Sequence, residues 1–228
     1  QRPCRANRGV PRPCGPSLQR TIGSEGDRWR ERPVASPAPV RQWAPKDAGQ
    51  PDVDLSLYSV TFNNDLEADW LTLERFKDFR IEASGKGFRY FLEVFNPNIE
   101  ECGIDPTQIP HYVNDQIARM LAGIPRASRP SFLKIAYNGP AAMEDLVAYD
   151  SSVVVGILGG SASTTYDALL LISEAKKHGA RVALFGRRIK GSEDPLTFIE
   201  VLRQVADGLV GPEEGVKLYR EALKKKGI

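Results

Sequence analysis

The 228-residue sequence predicts an α/β protein, a parallel sheet covered by helices and entered through a basic segment without regular structure. Three observations carry this expectation. Apolar runs of strand length alternate with stretches of helical periodicity from about residue 52 to the end. Some of those runs, such as Val153-Val-Val-Gly-Ile-Leu158, are apolar at nearly every position, as strands buried on both faces of a parallel sheet must be. The first 50 residues show neither period.

Composition sets the outer limits. With 41% apolar and 26% charged residues, the chain has the makeup of an ordinary globular protein, long enough for one domain with a sizeable core. The near-neutral total of +2 hides an asymmetry: nine arginines and Lys46 against Glu25, Asp27, Glu31 and Asp47 give residues 1–50 a charge of +6, which leaves −4 on the rest. A mildly acidic globular part does not suggest nucleic acid as a partner. Residues 1–50, with eight prolines, are expected to be disordered. They are either a basic tail for RNA or an acidic partner, or an artefact of gene start or reading frame; no aromatic and basic spacing organised for recognition favours the former. Cys4, Cys14 and Cys102 form no metal-ligand spacing, which fits a reducing compartment. No apolar run approaches the roughly 20 residues of a membrane helix, so a cytoplasmic protein without membrane contact is expected.

From residue 52 the elements follow in order. Residues 55–62 read as a strand, followed by a helix over 67–84 in which Trp70, Leu71, Leu73, Phe76 and Phe79 recur at helical spacing. A strand over 88–95 precedes a helix over 111–123, with Val113, Ile117, Met120 and Leu121 on one face. A strand over 132–137 leads into a short helix over 141–148. The apolar strand 153–158 is followed by a helix over 163–178 closed by Gly179, the residue type that suits a helix end. A fifth strand over 181–185 precedes helices over 195–206 and 212–225. A doubly wound sheet would be expected to carry a GxGxxG turn after its first strand; Gly156, Gly159 and Gly160 have the wrong spacing, so a (β/α) barrel is the better expectation.

In such a barrel the active site forms at the C-terminal ends of the strands. Lys134 stands in Ser131-Phe-Leu-Lys-Ile-Ala-Tyr-Asn-Gly139, a strand otherwise apolar, and strand parity points it with Phe132 and Ala136 toward the barrel interior. Burial disfavours an ammonium, and the free amine so released can attack a carbonyl to form an imine, an electron sink for carbon–carbon bond cleavage. A snorkelling lysine on an edge strand is the simpler alternative. Glu93, inside the strand Phe88-Arg-Tyr-Phe-Leu-Glu-Val-Phe95, is either a general acid or base or an ion-pair partner of Lys134. Tyr58 and Tyr137 could shuttle a proton or simply pack. Gly159-Gly160 after the fourth strand and Gly186-Arg187-Arg188 after the fifth suit a phosphate held by backbone N–H groups and a guanidinium. Asn96 and Asn138 end their strands and could bind substrate hydroxyls or only form turns. His111 and His178 are poor candidates, the latter suiting a helix C-terminus.

The series Lys134-Ile-Ala-Tyr137-Asn-Gly139, Ile157-Leu-Gly-Gly160 and Phe185-Gly-Arg-Arg-Ile189 resembles the last three strands of the class I aldolase superfamily, the archaeal-type fructose-bisphosphate, deoxyribose-phosphate and tagatose-bisphosphate aldolases. The resemblance covers the last 175 or so residues as architecture, and only these three motifs are specific. It implies a partial TIM (β/α) barrel, strands four to eight. It also implies a phosphorylated sugar substrate, Schiff-base chemistry at Lys134 without cofactor or metal, and phosphate binding by Gly159, Gly160, Gly186 and Arg187. Tyr58 is the loose match to a proton-donating tyrosine on strand four. Two positions depart from the pattern: Leu158 stands where Ser is common, and Arg188 where Asn is usual. A closed barrel needs eight strands, and five are legible, so the chain is expected to be a truncated or misassembled copy of a longer, homo-oligomeric aldolase-like protein. The acidic strand-one residue that assists the lysine would then be missing, leaving either an impaired lyase or a non-catalytic phosphosugar-binding module.

Overall fold

The structure, a computed structural model, describes residues 54–99, 102–160 and 162–228; the basic segment 1–50 lies outside the described residues. Five strands, β1 (Leu55–Thr61), β2 (Arg89–Phe95), β3 (Leu133–Ile135), β4 (Val155–Leu158) and β5 (Val182–Leu184), form one parallel sheet in chain order. Seven helices accompany them among the described residues: α1 (Leu66–Gly85), α2 (Ile109–Ala122), α3 (Pro140–Tyr149), α4 (Thr165–Lys177), α5 (Gly186–Lys190), α6 (Pro195–Ala206) and α7 (Pro212–Lys225). Short 3₁₀ turns at Pro106–Gln108 and Arg126–Ser128 complete the set.

The strand order never reverses, unlike that of a doubly wound sheet. Right-handed crossovers between successive neighbours then place every connecting helix on the same face. Burial follows this division. Tyr58, Val60, Phe62, Tyr90, Leu92, Val94, Leu133, Ile135, Val155 and Ile157 are buried beneath the helices. On the opposite face Leu57 is exposed, and Ser59, Phe91 and Lys134 are half-buried. This arrangement is compatible with part of an α/β barrel.

Local signals explain where the helices begin and end. Asp65 caps α1 by accepting from the Ala68 N–H at 2.8 Å. Thr164 and Asp167 form a reciprocal capping box at the start of α4. Gly179, at φ +99, lets the chain turn back so that Ala180 N–H donates to Ala175 at 2.9 Å, the closing bond of a Schellman motif. Helices α6 and α7 have the predicted bounds, and α2 buries the four residues predicted for its inner face. Helix α1 departs from expectation. Its buried face is Thr72, Phe76, Phe79 and Ala83, while Trp70, Leu71 and Leu73 are 62%, 48% and 39% exposed. Apolar residues spread over too wide an arc for a single buried stripe, and the sheet contacts only one side of that arc.

Under the helices Tyr58, Phe76, Phe79 and Tyr90 form an aromatic cluster with ring centroids 4.3–6.0 Å apart. At the opposite, N-terminal edge of the sheet Arg129 pairs with Asp150, joining the entry of β3 to the end of α3. Hydrogen bonds from Ser152 and then Arg129 hold the Asp150 carboxyl down from its ordinary 3.8 to about 2. A group lowered in the folded state stabilises the fold above its unfolded value and loses that contribution as pH falls through the folded one. Asp150→Asn is therefore expected to flatten the acid arm of a thermal-melt series between pH 4 and 2. An unchanged arm would show that the group does not couple to folding. No helix among the described residues is long and apolar enough to cross a membrane.

Candidate active site

Lys134 is the central residue of β3, and its neighbours Leu133 and Ile135 are locked into the helix-covered core. Alternation along the strand therefore turns the lysine to the other face. There the parallel register aligns one residue from each strand in a row, Ser59, Glu93, Lys134, Gly156 and Val182. Lys134 Nζ lies 2.5 Å from Glu93 Oε1, and Glu93 Oε2 accepts a hydrogen bond from Ser59 Oγ at 3.0 Å. The carboxylate is thus held from both sides, with side chains 8% exposed for Glu93 and 18% for Lys134. On the other flank Gly156 presents no side chain beside the lysine. A Cβ there would fall 2.8 Å from Val182 Cβ and 2.9 Å from the Leu133 carbonyl oxygen.

The layer below is apolar. Phe91 and Phe132, two residues upstream on the same face, stack with centroids 4.6 Å apart. Above the pair, at the C-terminal ends of β2 and β3, Asn96 and Asn138 exchange side-chain amide hydrogen bonds of 2.8 and 2.9 Å. These amides clamp the two strands together. The reading of Glu93 as partner of Lys134 agrees with this geometry. An ammonium becomes a nucleophile only when it gives up a proton, and Glu93 Oε1 is an acceptor within hydrogen-bond reach.

The two glycine turns also meet. Gly159 N–H donates to the Leu184 carbonyl at 3.2 Å, extending the sheet by one bond beyond β4. A Cβ on Gly159 would lie 2.3 Å from the Phe185 ring, and one on Gly160 would lie 2.8 Å from Arg187 Nη2. Glycine is required at 159, where the Phe185 ring is fixed in the core, whereas at 160 a Cβ would only displace the flexible Arg187 guanidinium. The exposed Arg187 guanidinium therefore lies over Gly160 and makes no hydrogen bond or ion pair with another described residue. Arg188 is placed differently: its Nη2 donates to Thr165 Oγ1 at 2.9 Å, and its guanidinium lies 5.7 Å from the Phe198 ring centroid. It braces α5 against α4 and α6.

Two other predicted residues are not brought to the lysine. Tyr58 is fully buried on the helix-covered face, its ring against Phe76 and Phe79, and its hydroxyl has no hydrogen-bond partner. Burial pushes that phenol well above its ordinary range, the opposite of what a proton donor needs. Tyr137 packs against the core from beyond the end of β3, and burial, with Glu174 and Glu144 nearby, raises its phenol as well. His178 bonds Glu144 at 2.6 Å and joins α4 to α3, while His111 is exposed. Ser59 is the residue that sequence reasoning passed over. The signal was parity: Tyr58, Val60 and Phe62 make the apolar face of β1, which leaves Ser59 beside Glu93.

No protein-family model matches the chain, and no curated protein is significantly similar to it.

Proposed function

We propose that the chain carries the active-site face of a class I aldolase-type lyase, its five strands corresponding to strands four to eight of a TIM barrel. Lys134 forms a Schiff base with the carbonyl of a phosphorylated sugar. The supporting observation is a lysine on the helix-free face, 2.5 Å from a buried carboxylate and at the strand row below the paired glycine turns. The chemistry balances on two side chains. A proton passes from Lys134 Nζ to Glu93 Oε1, and the amine attacks the carbonyl carbon to give a carbinolamine. Glu93 returns the proton to the departing hydroxyl, which leaves as water and yields the protonated imine. The carbon–carbon bond beta to nitrogen then breaks, its electron pair entering the imine to form an enamine. Glu93, again a carboxylate, takes the hydroxyl proton released as the new carbonyl forms. Backbone N–H groups of Gly160 and Gly186 and the guanidinium of Arg187 hold the phosphate, while the Gly159 N–H is engaged by the Leu184 carbonyl.

Borohydride reduction in the presence of dihydroxyacetone phosphate, the simplest ketose phosphate, tests this. A reduced adduct mapped to Lys134 by mass spectrometry, absent in Lys134→Arg, is the expected result. Phosphate retention without any adduct would instead identify a non-catalytic phosphosugar-binding module.

A further inference from the structure

We propose that Ser59 is a positioning residue that decides which oxygen of Glu93 exchanges a proton with Lys134. A carboxylate has two equivalent oxygens, and a general base that must return its proton to the same reaction face is better placed when one of them stays within reach of that face. In β1–β2–β3 this placement is built into the register. Ser59 faces Glu93 from one side and Lys134 faces it from the other, so Oε2 is occupied by the serine hydroxyl at 3.0 Å and Oε1 alone meets the amine at 2.5 Å. The hydroxyl can donate to a carboxylate oxygen and, more weakly, to the carbonyl-type oxygen of a neutral carboxyl. It therefore stays in place when the proton arrives on Oε1. Without it, Oε2 is buried with no donor and the group is free to turn about its last torsion.

The rest of this face leaves the task to Ser59. By strand parity β1 adds Leu57 and Thr61, β2 adds Phe91 and Phe95, β3 adds Phe132 and Ala136, β4 adds Gly156 and Leu158, and β5 adds Val182 and Leu184. The same parity adds Arg89 at the start of β2, whose guanidinium is paired with Asp54 at 2.9 Å, so Lys134 is the charged group of this set that meets Glu93 at hydrogen-bond distance. The serine bond takes up part of the negative charge that the carboxylate would otherwise turn wholly on the lysine.

The catalytic meaning of this role rests on the Schiff-base reading, but its test does not. The rate at which trinitrobenzenesulfonate labels Lys134, followed by peptide mass spectrometry against pH, reports the free amine without any sugar. Ser59→Ala is expected to move the half-maximal labelling of Lys134 to higher pH by about one unit, because a carboxylate that loses its second donor holds the ammonium more tightly. Labelling of exposed lysines such as Lys217 should be unchanged. Ser59→Thr keeps the hydroxyl and suits a strand, and should restore the wild-type profile; Ser59→Cys, a weak donor, should resemble Ser59→Ala and replaces it if the alanine variant does not fold. Coincident profiles for the wild type and either donor-poor variant would overturn the role of Ser59. A shifted profile in a protein that gives no borohydride adduct would refute the aldolase reading and leave Ser59 in place.

Discussion

Lys134→Met is expected to cost about 3 kcal/mol of stability, because it leaves the buried Glu93 carboxylate without its counter-charge. Glu93→Leu should cost less, about 1–2 kcal/mol, since the freed lysine is the more exposed partner and can extend toward the open face. The double variant Glu93→Leu/Lys134→Met removes both charges and is expected to fall within about 1 kcal/mol of the wild type. Urea unfolding of the four proteins, followed by circular dichroism, closes the cycle. Additive single losses in the double variant would mean that the two side chains do not interact in solution. Recovery would mean that apolar residues could replace the pair at little cost, so that stability alone does not account for two charges in mid-strand. On the proposed Schiff-base chemistry the pair moves a proton, and both single variants should then lose adduct formation with dihydroxyacetone phosphate.

This pair shows how far the sequence could be read. Lys134 and Glu93 were legible because a charged residue inside an apolar strand is costly unless partnered, and the two strands are neighbours in chain order. Their separation was not legible, because it depends on a register that only the folded sheet fixes. The same register assigns Ser59 to the pair and removes Tyr58 from it. A tyrosine attracts notice as a phenol, yet its alternation with Val60 and Phe62 already placed it with the core. Helix α1 misled for a related reason: periodicity says that residues share a face, not which part of a broad apolar arc meets the sheet. The five-residue helix α5 has too few positions to show a period at all. It is what carries Arg187 to one side and Arg188 to the other, so the division of labour between the two arginines lay beyond the pattern of residues.

The glycine turns yield the second large effect, with a control built into the structure. Gly159→Ala is expected to cost about 3 kcal/mol, because its Cβ would enter the ring of the buried Phe185 at 2.3 Å and the ring has the core on its far side. Gly186→Ala, at the other turn, meets nothing within 4 Å and should change stability by less than about 1 kcal/mol. The two substitutions are chemically identical and lie at consecutive strand ends, so their difference isolates the close approach of β4 to Phe185. Phe185→Leu in the Gly159→Ala background should return part of the loss by vacating the space, although the same change alone removes core volume and destabilises. Phosphate affinity gives an independent readout. Gly159→Ala shifts the turn that carries Gly160, on which Arg187 rests, and should weaken retention of inorganic phosphate, whereas Gly186→Ala should retain it. A Gly159→Ala protein as stable as the wild type would show that the turn can withdraw from Phe185. The contact between Gly160 and Arg187 would then be too loose to define a phosphate site.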